Sequence, residues 1–251
     1  MHRYFDISGR GHRVRCKLYC RSEENIRRVV IFGHGFGGHK DNGAAEKFAK
    51  RLTAAHEDAA LITFNWPAHG DDDGQTLHLE DCLDYLALVV DHARQTYNPA
   101  ALCSYATSFG GYLTLMYIHT RENPFEKIAL RCPAVNMYDV LTGAIMSPEE
   151  LARLQKGESV PVGFDRKVTT DPPLLRALQS CDIQTWDFRD QAGSLLILHG
   201  SADEIVPFAA SRAFAERNSI AFIPVEGADH RFREAEHMEE AIRHILAHFA
   251  W

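Results

Sequence analysis

The chain has 251 residues, 45% of them hydrophobic and 24% charged, with 17 glycines and 10 prolines. That composition suits one folded domain and excludes a disordered or fibrous chain. A net charge of -7 argues against a nonspecific nucleic-acid binder or a protein held on anionic membranes, since both need clustered positive charge. A small-molecule partner is expected.

Met1 to Arg10 mixes charged and apolar residues and offers no signal-peptide core. The longest apolar stretches, Leu195 to Leu198 and Leu86 to Val90, are far shorter than the ~20 residues of a spanning helix, so a cytoplasmic protein is expected. The six cysteines show no metal-ribbon spacing and read as reduced thiols. Arg3–Ile7 and His12–Cys20 alternate in polarity around Ser8-Gly9-Arg10-Gly11, as an antiparallel pair at a sheet edge does. From there, short β-branched runs alternate with helical patterns. Strands are expected at Val29–Phe32, Ala60–Phe64, Ala101–Tyr105, Lys127–Arg131, Leu195–His199 and Ile220–Val225. Helices are expected near Ala44–His56, His78–Tyr97, Tyr112–Thr120 and Ala235–Phe249. This is an α/β class with a mostly parallel sheet flanked by helices. The chain reads as a single domain over 1–251, with a small helical or irregular cap inserted over about 133–190, where prolines interrupt the βα rhythm.

Ser108 sits in Ala106-Thr107-Ser108-Phe109-Gly110-Gly111, squeezed between a buried strand and a helix. Small residues two positions to each side permit a sharp turn that lifts the hydroxyl and aims a helix N-terminus at developing negative charge. After a later strand, His199-Gly200-Ser201-Ala202-Asp203 places an acid in a loop, and after the last strand Gly227-Ala228-Asp229-His230 places a histidine in the next. The order Ser108, Asp203, His230 is that of a hydrolytic triad, with Asp139 as an alternative acid after the Lys127–Arg131 strand. Asp229 adjoins His230, and neighbouring side chains diverge. Asp71-Asp72-Asp73 lacks the further carboxylates of a calcium loop and reads as a solvated turn; His34 and His39 lack a third ligand and read as loop packing. No metal and no cofactor are assigned.

These motifs, in this order, resemble the α/β-hydrolase superfamily from Val29 to Trp251. His34-Gly35-Phe36-Gly37-Gly38 is similar to the oxyanion loop of feruloyl and cinnamoyl esterases and related carboxylesterases. The resemblance implies backbone oxyanion donors at Phe36 and Phe109. It departs at Ala106, where the usual motif has glycine. A serine carboxylester hydrolase for small soluble esters, aryl or cinnamoyl esters first among them, is the expected activity. Tyr138, Asp139 and Trp186 are candidate substrate contacts, with Phe164 and Phe188 beside them in the cap. The alternatives are a thioesterase, an acyltransferase or a small-peptide hydrolase with the same residues, or a ligand-binding relative without turnover.

Overall fold

In a computed structural model of the chain, which describes residues 1–72 and 75–251, the antiparallel pair comes first. Strands β1 (His2–Gly9) and β2 (His12–Cys20) pair from His2 opposite Tyr19 to Gly9 opposite His12. Arg10 and Gly11 both have positive φ, 52° and 80°, the twist that a two-residue hairpin turn requires. β2 runs antiparallel to β4 (Ala59–Phe64), and the remaining pairings of this sheet are parallel. The eight-stranded sheet has the order β1-β2-β4-β3-β5-β6-β9-β10, where β3 is Arg28–Gly33, β5 Ala101–Thr107, β6 Lys127–Arg131, β9 Leu195–Gly200 and β10 Ala221–Val225. β3, β4 and β5 are buried almost from end to end because both faces of the sheet are covered.

Helix α1 (Gly43–Ala55) starts where the Asn42 side chain accepts from the amides of Ala44 and Ala45. It buries Ala45, Phe48, Ala49 and Leu52 on one face of the sheet, where α8 (Ala235–Phe249) joins it. The complete burial of Phe48 and Leu52 stabilises this layer by about 1.5–3 kcal/mol each. On the other face lie α2 (Leu79–Tyr97) and α3 (Phe109–Thr120). α3 is buried continuously from Phe109 to Ile118, so it has no polar face.

The segment between β6 and β9 contains a short α4 (Met137–Val140) that runs into a π turn at Leu141–Ile145, then α5 (Pro148–Gln155) and α6 (Pro172–Ser180). Prolines at the first turn, with Ser147 and Asp171 as side-chain caps, start the last two. Between them, β7 (Val160–Val162) and β8 (Val168–Thr170) form an antiparallel hairpin that the sequence reading did not anticipate. Met137, Leu141, Leu154, Val162 and Leu174 join the same core as α2 and α3.

Two other readings need correction. α3 begins at Phe109, not Tyr112, because the turn from β5 has no loop at all. In the acidic run, Asp72 is buried and pairs with Arg15 at 3.2 Å, and Asp71 pairs with Lys40, so this turn is not merely solvated. Asp73 lies outside the described residues. All six cysteines are free thiols, five of them buried. No helix among the described residues is long and apolar enough to cross a membrane.

Candidate active site

Ser108 occupies the junction of β5 and α3 with φ 52° and ψ -119°, a conformation that costs a non-glycine residue about 1–3 kcal/mol. The turn is held by its amide, which donates to the Arg131 carbonyl at 3.0 Å, and by its carbonyl, which accepts from Tyr112 and Ala134. A Cβ on Gly110 would stand 2.4 Å from the Gly33 carbonyl oxygen, so only glycine lets α3 approach β3 this closely. Ala106 is accommodated because its register partner on β3 is Gly33, which presents no side chain to its methyl group.

The loops after β9 and β10 are drawn together at Gly200, where a Cβ would lie 2.2 Å from the Ala228 carbonyl oxygen. Asp203 and His230 lie in the loops that follow these two adjacent parallel strands. His230 Nε2 is 3.1 Å from Ser108 Oγ, and His230 Nδ1 is 2.7 Å from Asp203 Oδ2. The Asp203 side chain is fully buried, and its Oδ1 accepts from the amides of Ile205 and Val206 at 2.9 and 2.8 Å. Burial opposes its charge, yet hydrogen bonds from His199 and His230 hold its carboxyl far below the usual carboxylate range. The acid stays ionised. Asp229 instead takes up Arg233 at 2.6 Å, and Asp139 is exposed on α4, so neither meets the imidazole.

His34 and Trp66 brace the loop that carries Phe36. Buried His34 contacts the Gly35 carbonyl through Nδ1 at 2.9 Å and accepts the Trp66 amide at Nε2, while the Trp66 indole donates to the His34 carbonyl at 2.9 Å. Burial, with the adjacent His69, holds His34 well below the usual imidazole range, so it is a neutral bracket. The amides of Phe36 and Phe109 have no hydrogen-bond partner among the described residues, and the latter is the first of α3. Their rings meet edge to face at 5.7 Å.

The cleft over Ser108 has a volume of about 690 Å³ and is walled by Phe36, His230, Ile145 and Ile205 among others. The turn between β7 and β8 overhangs it with Phe164, Asp165 and Arg166, and the Arg166 carbonyl would be 3.1 Å from a Cβ on Gly37. Asp165, Arg166 and Arg131 were missed from the sequence, whereas Phe164 was named there among the candidate aromatics. Two valine-containing triplets around Gly163 were the available sign of the hairpin. The predicted contacts Tyr138, Asp139 and Trp186 do not line the cleft. Trp186 stacks on His119 at 4.4 Å, and Phe188 is sealed in the core against Phe214, because the segment uses its aromatics to pack against α3 and α7 (Phe208–Asn218). Phe164, in the turn between β7 and β8, is the aromatic of this segment that lines the cleft.

Among the described residues, ligand atoms of Cys132, Asp203 and His230 lie within 4.8 Å of one another. The donor set does not suit a metal ion. Burial pushes the Cys132 thiol well above its usual range and keeps it protonated, and the Asp203 oxygens are occupied by four N–H groups.

Residues 24–156, more than half of the chain, match the family described as serine aminopeptidase, S33. The chain belongs to that family. Its fold is that of the α/β-hydrolases. A monoacylglycerol lipase from Mycolicibacterium smegmatis is 23% identical over 215 residues, covering 76% of this chain and 75% of that protein. Est1E from Butyrivibrio proteoclasticus, solved with ferulic acid bound, superposes with a TM-score of 0.77 at 18% identity, over 98% of this chain and all of that one. A monoacylglycerol lipase from Paleococcus ferrophilus gives a TM-score of 0.66 at 19% identity, over 94% of this chain and 98% of that one. These solved structures share the α/β-hydrolase fold, and at such identities the likeness concerns the fold alone.

Proposed function

We propose that the protein is a serine carboxylester hydrolase for small soluble esters, acting through an acyl-enzyme on Ser108. The carrying observation is the contact line from Asp203 Oδ2 through both nitrogens of His230 to Ser108 Oγ, at 2.7 and 3.1 Å. His230 takes the Ser108 proton as Oγ attacks the ester carbonyl, and the resulting oxyanion is held by the amides of Phe36 and Phe109. Collapse expels the alcohol, protonated by His230. Water, deprotonated by the same imidazole, then releases the acid. Asp203 fixes the ring and stabilises its charged form. The chain's own groups supply each step.

A peptide substrate is the second reading, favoured by the description of the family. An aminopeptidase must hold the substrate's terminal ammonium, for which an unpaired carboxylate in the cleft is the natural partner. The carboxylate in the cleft wall is Asp165, which is exposed and paired with Arg231 at 3.2 Å. This favours esters. Among them, aryl acids such as ferulate come first, supported by Phe36 and Phe164 in the wall and by the likeness to Est1E. Specificity constants for methyl ferulate, 4-nitrophenyl butyrate, 4-nitrophenyl palmitate and an amino-acid anilide test the reading. Hydrolysis of ferulate or butyrate above the rest is expected. Dominant cleavage of the anilide makes the protein a peptidase, and dominance of palmitate removes the compact acyl site.

A further inference from the structure

Among the described residues, Arg131 is a buried cation without a counterion. It ends β6, in register with Thr107, and only 6% of it is exposed. Its Nη1 donates to the Arg231 carbonyl at 3.3 Å and lies 3.8 Å from Met238 Sδ, and its guanidinium sits 4.8 Å over the Phe232 ring. Nε is buried with no hydrogen-bond partner, and no carboxylate among the described residues forms an ion pair with it. Burying a charge in this way is costly unless something else completes the site.

Arg131 is also one of the residues that wall the cleft over Ser108. The wall also carries Arg166 and Arg231 against the single carboxylate of Asp165, which Arg231 already occupies. In a chain with a net charge of -7, the wall of this cleft therefore carries three arginines against one carboxylate, with Asp203 and Glu204 behind His230 as the other nearby acids. The first residues of α1, Gly43 and Ala44, border the same cleft, and a Cβ on Gly43 would meet open space. The positive end of a helix dipole thus adds to the same field.

We propose that Arg131 and Arg166 form an anion subsite, and that the physiological substrate is an acidic ester. One end of such a substrate is the scissile ester at Ser108, and the other is a carboxylate or phosphate that the planar guanidinium of Arg131 receives in its unused donors. The inference rests on the esterase reading and deepens it. It also accounts for a polar cleft in a hydrolase whose sequence offers no groove for long acyl chains.

The test compares monomethyl and dimethyl esters of succinate, glutarate and adipate, so that one end changes only in charge while the reach varies. At low salt, kcat/KM for the best monoester is expected to exceed that of its diester by about 10–100-fold, the worth of one charge-assisted contact of roughly 1.5–3 kcal/mol, and the preference should shrink as salt rises. R131Q should lower the monoester-to-diester ratio by at least about tenfold, and R166Q, at an exposed position, should lower it less. Inorganic phosphate should compete with the monoester more strongly in the wild type than in R131Q. If R131Q fails to fold by circular dichroism, the wild-type ratio, its salt dependence and R166Q decide. Ser108-dependent hydrolysis of the diesters without preference for any monoester overturns the inference and leaves the esterase reading intact. No Ser108-dependent hydrolysis of any of these esters or of those named above overturns both.

Discussion

His199 Nε2 lies 3.1 Å from Asp203 Oδ2, with both side chains fully buried, so the acid that meets His230 is gripped by a second imidazole from beneath. The same nitrogen is 3.1 Å from the Val206 carbonyl, while His199 Nδ1 has no hydrogen-bond partner among the described residues. The carboxylate is thereby held from β9 and from its own loop, independently of His230.

His199 is accordingly a positioning residue. His199→Phe should lower kcat by about 10–100-fold with little change in KM, since a displacement on the order of 1 Å in a catalytic group costs about that much. His199→Gln, which retains a donor, should recover part of the loss. A purely structural role predicts equal losses of folded protein for both variants, measured by thermal unfolding, and no difference in kcat per folded molecule.

Among the three candidate acids, Asp203→Asn should depress turnover most, by roughly 10⁴, and Ser108→Ala by on the order of 10⁶. Asp139→Asn and Asp229→Asn should stay within a few-fold, because Asp139 is exposed on α4 and Asp229 serves Arg233. Labelling with a fluorophosphonate, followed by peptide mapping, should place the adduct on Ser108. An adduct elsewhere, or a larger loss at Asp139, would refute the assignment.

Ala106 and Gly33 form a matched pair across β5 and β3. Ala106→Gly should fold normally and lose about 0.5–1 kcal/mol, the cost of glycine in a strand. Gly33→Ala brings a new Cβ to 3.2 Å from the Trp66 ring and 3.4 Å from the Ala106 Cβ, so it should destabilise by about 1–3 kcal/mol. Combining it with Ala106→Gly should recover part of that, a non-additivity readable by denaturant titration.

Acid should weaken the fold through two neutral histidines. His34 and His69 are both buried, 5.3 Å apart, and burial lowers His69 to about 4. Between the ordinary imidazole value of about 6.5 and that value, the unfolded chain binds protons that the native state excludes, so stability is whole above the window and falls as pH drops through it. His69 alone contributes on the order of 3 kcal/mol to the fall. Urea titrations at pH 7.5, 6 and 5 should show the decline, and His69→Gln should flatten it; an unchanged slope in the variant would locate the acid sensitivity elsewhere.

Much of this site was legible because its parts are local. The elbow at Ser108 is written in adjacent small residues, and Asp203 and His230 announce themselves by following strands. What stayed hidden depends on partners distant in sequence. Arg131 reads as an ordinary strand end until the packing of α8 and Phe232 shows it buried and unpaired. Trp186 looks like a ligand contact until its ring is found against His119. Asp72 looks solvated until Arg15 reaches it from β2. The β7–β8 hairpin is only three residues a side, too short for alternation to declare a strand.

The hydrogen bond between His230 and Ser108 joins positions 122 residues apart, and the close approach of Gly200 and Ala228 sits between them. A ribosome extruding this chain has therefore released the nucleophile, the whole cap and nearly all of the sheet before the imidazole exists to be docked. On the proposed activity, ester hydrolysis becomes a clock for the end of folding: in refolding from urea, turnover should appear after the far-ultraviolet signal has recovered, with the slow kinetics that such long-range closure imposes.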